Sequence, residues 1–144
     1  MRSAAVMVTF AVLGSFWGAG ECRALQSDLA GTAGRIRDAW LRHDMRAVVS
    51  GPDPVEIRLP NSRPSRPLAP AQAAALLASF VDDAEETEFD LRVVRQTGDD
   101  LGYAEALRKF VVSGTSEELG HTVFLGFQRV ESIWRLTEIR FSPE

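Results

Sequence analysis

The first half of the chain follows a helical pattern. Apolar side chains recur every three or four positions near its start, at Leu29, Ala33, Ile36 and Trp40. This spacing gathers them into one stripe and predicts a helix over Asp28–His43. Asp44 then has the side chain of an N-cap for a short helix over Met45–Ser50. A Gly-Pro-Asp-Pro sequence at positions 51–54 ends this helix.

A strand, a proline-rich loop and a second long helix follow. Residues Val55–Leu59 alternate apolar and charged, as in a half-buried strand. Residues 60–70 contain four prolines, which keep this loop out of the centre of a sheet. The next apolar stripe comprises Ala73, Leu76, Leu77, Phe80 and Val81. It predicts a helix with Pro70 in its first turn and an end near Asp82, since the acids that follow oppose the helix dipole.

The second half of the chain follows a strand pattern. Four segments, near residues 89–93, 102–113, 121–130 and 133–141, are separated by short connections, which require antiparallel neighbours. In the second and fourth segments the apolar residues change parity partway along. Such a change indicates either a β-bulge or burial on both faces. The whole pattern predicts an α+β fold, with N-terminal helices packed on a curved antiparallel meander sheet.

Composition narrows the class of protein. The chain has 144 residues, of which 45% are hydrophobic and 25% charged, with a formal net charge of −4. These values are typical of one globular domain. The acidic balance argues against a nucleic-acid partner, because binding to phosphates requires a cationic surface.

The N-terminal residues resemble a targeting signal rather than part of the domain. Residues 4–20 carry no charge and follow Arg2, which predicts a signal peptide over residues 1–24 and a single domain over 25–144. Cleavage is expected after Gly20 or after Ala24, and the protein is expected to be exported, periplasmic or extracellular. Two less favoured alternatives are a leader retained as a membrane anchor and a lipid on Cys22. No other membrane contact is expected.

Three segments resemble a known superfamily. They are AWLRHDMRAVV at 39–49, AQAAALLASF at 71–80 and SIWRLTEIRF at 132–141. In their order they are similar to the nuclear transport factor 2-like superfamily, which includes the SnoaL-like and cystatin-like folds. The pattern is closest to short exported bacterial domains of unknown function. One departure is His43, where a small residue such as glycine is usual.

The resemblance implies a cone-shaped fold with a pocket between helices and sheet. It also implies a possible homodimer through the sheet. Members of the superfamily include isomerases, dehydratases and epoxide hydrolases, but also many non-catalytic binding domains, so the fold leaves the function open. We expect an exported binding or scaffolding domain that holds a small apolar ligand or a protein partner. The alternative is a pocket enzyme of the isomerase or dehydratase type that acts on a small apolar substrate.

Few residues offer acid–base chemistry. His121 shares the parity of the apolar residues Val123, Leu125 and Phe127, so it is a weak catalytic candidate that can face inward. Tyr103 and Glu105 share a parity on another strand and form a second weak candidate pair. Carboxylates on strands are mostly exposed, which favours an outward Glu105. No metal or cofactor is expected, because the two histidines are 78 positions apart and there is no phosphate-binding glycine loop.

Aromatic residues are spread over the elements that the fold brings together. The candidates for a ligand pocket are Trp40, Phe80, Phe89, Phe124 and Trp134. Two interpretations remain open, since such side chains either fill the core or line a cavity.

Overall fold

In the computed structural model the backbone is described for residues 19–144 and the side chains for residues 28–144. The predicted signal peptide therefore lies largely outside the described residues. Within the described part of the chain, no helix is both long enough and apolar enough to cross a membrane.

The described residues form three helices and five strands in an α+β arrangement, which confirms the predicted class. The elements are α1 (Ala19–Leu41), α2 (Met45–Val48), β1 (Glu56–Arg58), α3 (Pro70–Val81), β2 (Ala84–Gln96), β3 (Leu101–Val112), β4 (Glu118–Val130) and β5 (Ile133–Pro143). Strands β2 to β5 form the predicted antiparallel meander. The sheet order is β1-β5-β4-β3-β2, and β1 lies parallel to β5, with Ile57 opposite Ile139.

The helices cover one face of the sheet, here called the inner face. Leu29, Ala33, Ile36 and Trp40 are all buried, so the predicted stripe of α1 is its packing face. The stripe of α3 is buried at Ala73, Leu77 and Val81. On β3, buried side chains alternate with half-buried ones from Gly102 to Phe110. The opposite, outer face of the sheet therefore carries the half-buried set.

Bulges account for only one of the two parity changes. The register of β4 with β5 shifts between Gly126 and Phe127, which leaves Thr137 as an extra residue and turns both Leu136 and Ile139 inward. In β3 the pairing with β4 is continuous, so a bulge there was the wrong alternative. Tyr103 and Leu107 are half-buried on the outer face instead. Two further bulges, which the sequence did not predict, lie in β2.

The way α1 ends explains why a small residue such as glycine is usual at position 43, where this chain has His43. Its backbone is left-handed, with φ of 55°. Its N–H donates to the carbonyl of Trp40 at 2.8 Å, and the N–H of Asp44 donates to that of Ala39 at 2.9 Å, which closes the helix. Glycine is favoured at such a position because it has no Cβ. The Asp44 carboxylate then accepts from the N–H of Ala47 at 3.1 Å, as predicted for an N-cap.

Candidate functional site

An ionisable cluster faces the helices from one end of the sheet, on the side of the edge strand β2. It consists of Glu86 on β2, Arg108 on β3 and His121 on β4. Arg108 lies directly opposite His121 in the β3–β4 register. The bulge between Glu86 and Glu88 places Glu86 opposite Phe110, whose side chain faces inward. Three neighbouring strands thus each contribute one ionisable side chain to the inner face.

Arg108 and Glu86 form a buried ion pair. The side chains are only 1% and 2% exposed, respectively. The Nε of Arg108 donates to both carboxylate oxygens at 3.0 Å, and its Nη2 donates to Oε1 at 2.5 Å. Such a bidentate pair compensates the desolvation of two charges. Both oxygens of the Glu86 carboxylate therefore bind the guanidinium.

A further hydrogen bond of Arg108 sets the tautomer of His121. Its Nη1 lies 3.3 Å from Nδ1 of the imidazole. A guanidinium only donates hydrogen bonds, so Nδ1 accepts this one and the proton of the neutral ring resides on Nε2. Burial, and then the charge of Arg108, lower the pKa of His121 below 6.5, while Glu86 acts in the opposite sense. His121 is thus held in its neutral form at neutral pH.

Aromatic rings enclose this cluster. The guanidinium carbon of Arg108 lies 4.0 Å from the ring centroid of Phe110, 5.2 Å from that of Phe80 and 5.5 Å from that of Trp40. Ring centroids are 5.2 Å apart for Trp40 and Phe89, and 4.9 Å apart for Phe80 and Phe141. These are contact distances, so packed rings occupy the space between the helices and this part of the sheet.

The aromatic pocket candidates separate into three places. Trp40, Phe80 and Phe89 belong to the ring cluster around Arg108. Phe124 lies on the outer face, because it alternates with the inward-facing Val123 and Leu125. Trp134 lies near the start of β5, where it lines the groove described below. The five rings do not surround one cavity.

The catalytic candidates lie on opposite faces of the sheet. Tyr103 stacks on Phe124 with ring centroids 5.5 Å apart on the outer face, and Glu105 is directly opposite Phe124 in the register. His121 alone faces inward, where it contacts Arg108. The predicted pair of Tyr103 and Glu105 therefore shares a face but does not meet His121.

The sequence did not single out Arg108 or Glu86. A signal for Arg108 was present, since it shares the parity of Gly102, Ala104, Ala106 and Phe110. Glu86 had no such signal, because the bulge after it shifts the parity of β2.

A groove opens at one end of the fold, between the second half of α1, α2, residues 50–53 and the start of β5. We call it the end groove. Its volume is about 540 Å³. Apolar residues, including Ile36, Val48, Val55, Trp134 and Leu136, form its floor. Its charged lining residues are Arg35, Asp38, Arg42, Asp53 and Arg135. A second hollow, of about 640 Å³, lies between α2 and α3.

Among the described residues, no group of three histidine, cysteine, aspartate or glutamate side chains is arranged to hold a metal ion. Arg108 bonds both Glu86 and His121. The end groove and the second hollow are two places among the described residues that can receive a ligand.

Comparisons with known proteins rest on structure alone, since no family model and no curated protein matches this chain. A ketosteroid isomerase-like protein from Erwinia carotovora atroseptica superposes with a TM-score of 0.70 at 14% identity, over 82% of this chain and 95% of that one. A putative dehydratase from the NTF2-like family of Streptomyces avermitilis gives 0.67 at 13% identity, over 85% and 98%. The chain has the nuclear transport factor 2-like fold.

A third similar structure is a DUF4783 family protein from Bacteroides uniformis, which superposes with a TM-score of 0.64 at 12% identity, over 77% of this chain and 95% of that one. Identities this low show a shared fold alone, and the fold does not determine the function.

Proposed function

We propose that this nuclear transport factor 2-like domain is a non-catalytic binding domain that holds a small apolar ligand in the end groove. The observation that carries the proposal is the closure of the ionisable cluster. Arg108 and Glu86 are buried and bonded to each other, and packed rings cover them. A catalytic group must reach its substrate, whereas a buried ion pair under aromatic rings is a structural arrangement.

The end groove supports the binding part of the proposal. Its floor is built from side chains that are at most 9% exposed, and Trp134 supplies an aromatic surface. A concave apolar floor with a few polar groups at the rim is the usual form of a small-molecule site. A volume of about 540 Å³ lies within the range of such sites.

A neutral fluorescent probe tests this proposal. We expect N-phenyl-1-naphthylamine to bind the purified protein saturably, with increased fluorescence, because it moves from water to the apolar floor. Ala47→Phe places a ring in the end groove and should abolish this binding. The matched control is Ala75→Phe, which places the same ring on an exposed position of the second hollow. Circular dichroism checks that both variants fold.

Two results would contradict the proposal. One is a lack of saturable probe binding to the unaltered protein. The other is binding that survives Ala47→Phe and disappears in Ala75→Phe, which would assign the ligand to the second hollow.

We also propose that the domain is exported after removal of the signal peptide over residues 1–24. The uncharged stretch after Arg2 supports this. N-terminal mass spectrometry of the protein from its host should find a chain that begins at Glu21 or Leu25. A chain that begins at Met1 in the membrane fraction would contradict it.

The outer face supports a homodimer through the sheet. Tyr103 and Phe124 stack there, and the guanidinium of Arg140 lies 4.4 Å from the ring centroid of Phe124. Glu138 forms an ion pair with Arg140 at 3.8 Å, and Glu105 lies opposite Phe124, so a second copy turned about a two-fold axis can bring Glu105 against Arg140. Sedimentation equilibrium should report a dimer that Phe124→Asp dissociates. A monomer at high protein concentration would contradict the proposal.

One observation favours the enzymatic alternative. His121 faces inward in its neutral form with Nδ1 bonded to Arg108, so its Nε2–H can donate a hydrogen bond to a substrate carbonyl, as an electrophilic group in an isomerase does. The test is exchange of the α-protons of cyclohexanone in deuterated water, followed by NMR. Exchange that the protein accelerates and His121→Gln slows would support an enzyme of the isomerase or dehydratase type. Equal rates with and without protein would argue against it.

A further inference from the structure

We propose that the ligand of the end groove is a small amphiphilic carboxylate, whose apolar body lies on the groove floor and whose carboxylate binds Arg35 or Arg42. This inference rests on the proposed function and adds to it the charge of the ligand.

Two different surfaces meet in the end groove. The floor is apolar, since Val48 and Val55 are 2% exposed and Trp134 is 4% exposed. The charged side chains come from the helix α1 and the residue that follows it, from the loop at 50–53 and from Arg135 on β5. A ligand that fills the groove therefore contacts apolar side chains along its length and meets charge at the rim. This arrangement matches a molecule with an apolar body and one polar end.

The acids of the groove are already neutralised within the protein. Asp53 forms an ion pair with Arg135 at 2.9 Å, and Asp38 forms one with Arg37 at 2.8 Å. Both carboxylates therefore have their own cation. With three arginines and two aspartates, the groove lining carries a net charge of +1.

Arg35 and Arg42 have no acidic partner among the described side chains. Arg35 donates to the neutral hydroxyl of Thr32 at 2.9 Å, which leaves its charge uncompensated. The only hydrogen bond of Arg42 that the structure gives joins its backbone N–H to the carbonyl of Ala39. Arg42 directly follows the last residue of α1, seven positions after Arg35, and both residues line the groove. The lining consequently attracts an anion.

The positions of these arginines suit a carboxylate on an apolar chain. They flank Ile36 and Ala39, which belong to the groove floor. A ligand that rests on these two residues keeps its polar end within reach of a guanidinium. The guanidinium plane matches the two oxygens of a carboxylate, and such charge-assisted bonds are stronger than those of a neutral hydroxyl.

Octanoate and 1-octanol test the charge of the ligand, since they share an eight-carbon apolar chain and differ in the end group. Titration calorimetry on the purified protein should show that octanoate binds about tenfold more tightly than 1-octanol, as expected for a hydrogen bond to a charged group. Arg35→Gln/Arg42→Gln should remove this preference and leave the affinity for 1-octanol unchanged. Added salt should weaken the binding of octanoate alone.

Arg66→Gln is the matched control. It removes a positive charge from an exposed residue that lines neither the end groove nor the second hollow, and it leaves the Arg37–Asp38 pair in place. The variant should retain the preference for octanoate, and its loss would show that net charge alone sets the affinity and would overturn the inference. Equal affinity of the unaltered protein for the two probes would overturn the inference and leave the proposed function in place. Failure of both probes to bind would overturn both proposals.

Discussion

Removing either partner of the Arg108–Glu86 pair should lower the free energy of unfolding, but the two losses should depend on pH in different ways. Arg108→Met keeps a long side chain among the rings but leaves Glu86 buried without its cation. An isolated carboxylate in such surroundings takes up a proton rather than remain charged. The stability that this buried charge takes from the variant therefore cannot exceed the free energy of protonating Glu86 at the same pH.

That cost follows from the titration of glutamate in an unfolded chain. With an unfolded pKa near 4.3, protonation costs about 3.7 kcal/mol at pH 7 and about 1 kcal/mol at pH 5. The folded variant holds a proton that the unfolded chain releases, so its stability falls as pH rises. The lost contacts of the guanidinium with the rings of Trp40, Phe80 and Phe110 add a further cost that does not change with pH.

Glu86→Gln removes the other charge. The guanidinium of Arg108 cannot release its proton, so it remains buried and charged. Breaking a buried pair in this way costs about 3–5 kcal/mol. Because Glu86 raises the pKa of His121, the cost should if anything be larger at pH 5 than at pH 7, opposite in direction to Arg108→Met. The double variant Arg108→Met/Glu86→Gln removes both charges and should recover most of the stability that Glu86→Gln loses.

Urea unfolding followed by tryptophan fluorescence measures these differences, since Trp40 lies beside Arg108. Each variant is compared with the unaltered protein at pH 5 and pH 7. Arg108→Met should be about 2.7 kcal/mol less destabilised at pH 5 than at pH 7. A cost below about 1 kcal/mol at pH 7 for both single variants would show that the pair is exposed to solvent and would refute the reasoning.

Three further predictions concern single positions. His43→Gly should stabilise the protein by about 0.5–1 kcal/mol in the same urea assay, because glycine adopts φ of 55° without strain, whereas His43→Ala should bring no such gain. Gly102→Ala should destabilise by about 1–3 kcal/mol, since its Cβ would lie 2.6 Å from the Leu29 side chain and 3.2 Å from the Arg95 carbonyl; an unchanged urea midpoint would contradict this close packing. His121 should titrate below pH 6.5 by NMR, and the stability it contributes should be lost as pH falls from about 6.5 through its lowered pKa; titration at or above 6.5 would contradict the contact with Arg108.

The order of elements could be predicted because the apolar period changes at the right places. The stripe from Leu29 to Trp40 and the alternation within β5 report directly which side chains are buried. The short connections then leave the meander as the only simple pairing. The pairing of β5 with β1 could not be predicted in this way. The parallel pairing of β1 with β5 joins residues about 80 positions apart, and no local pattern records it.

The candidate site was harder to predict, for two physical reasons. Arg108 is compensated by Glu86, a residue 22 positions earlier, and sequence parity marks a buried arginine without naming its partner. Glu86 belongs to an acidic stretch that resembles a solvated turn, and only the bulge before Glu88 turns it inward. The end groove depends on where residues 50–53 lie relative to α1 and β5, which is a property of the tertiary fold.

The most direct test of the proposed function is to find where a ligand binds. Octanoate is titrated into isotope-labelled protein, and the NMR shifts of methyl and indole groups are followed. The largest changes should occur at Ile36, Val48, Leu136 and the Trp134 indole, which line the end groove. Changes centred on Val123 and the Trp40 indole would place the ligand among the rings around Arg108 and would contradict binding in the end groove.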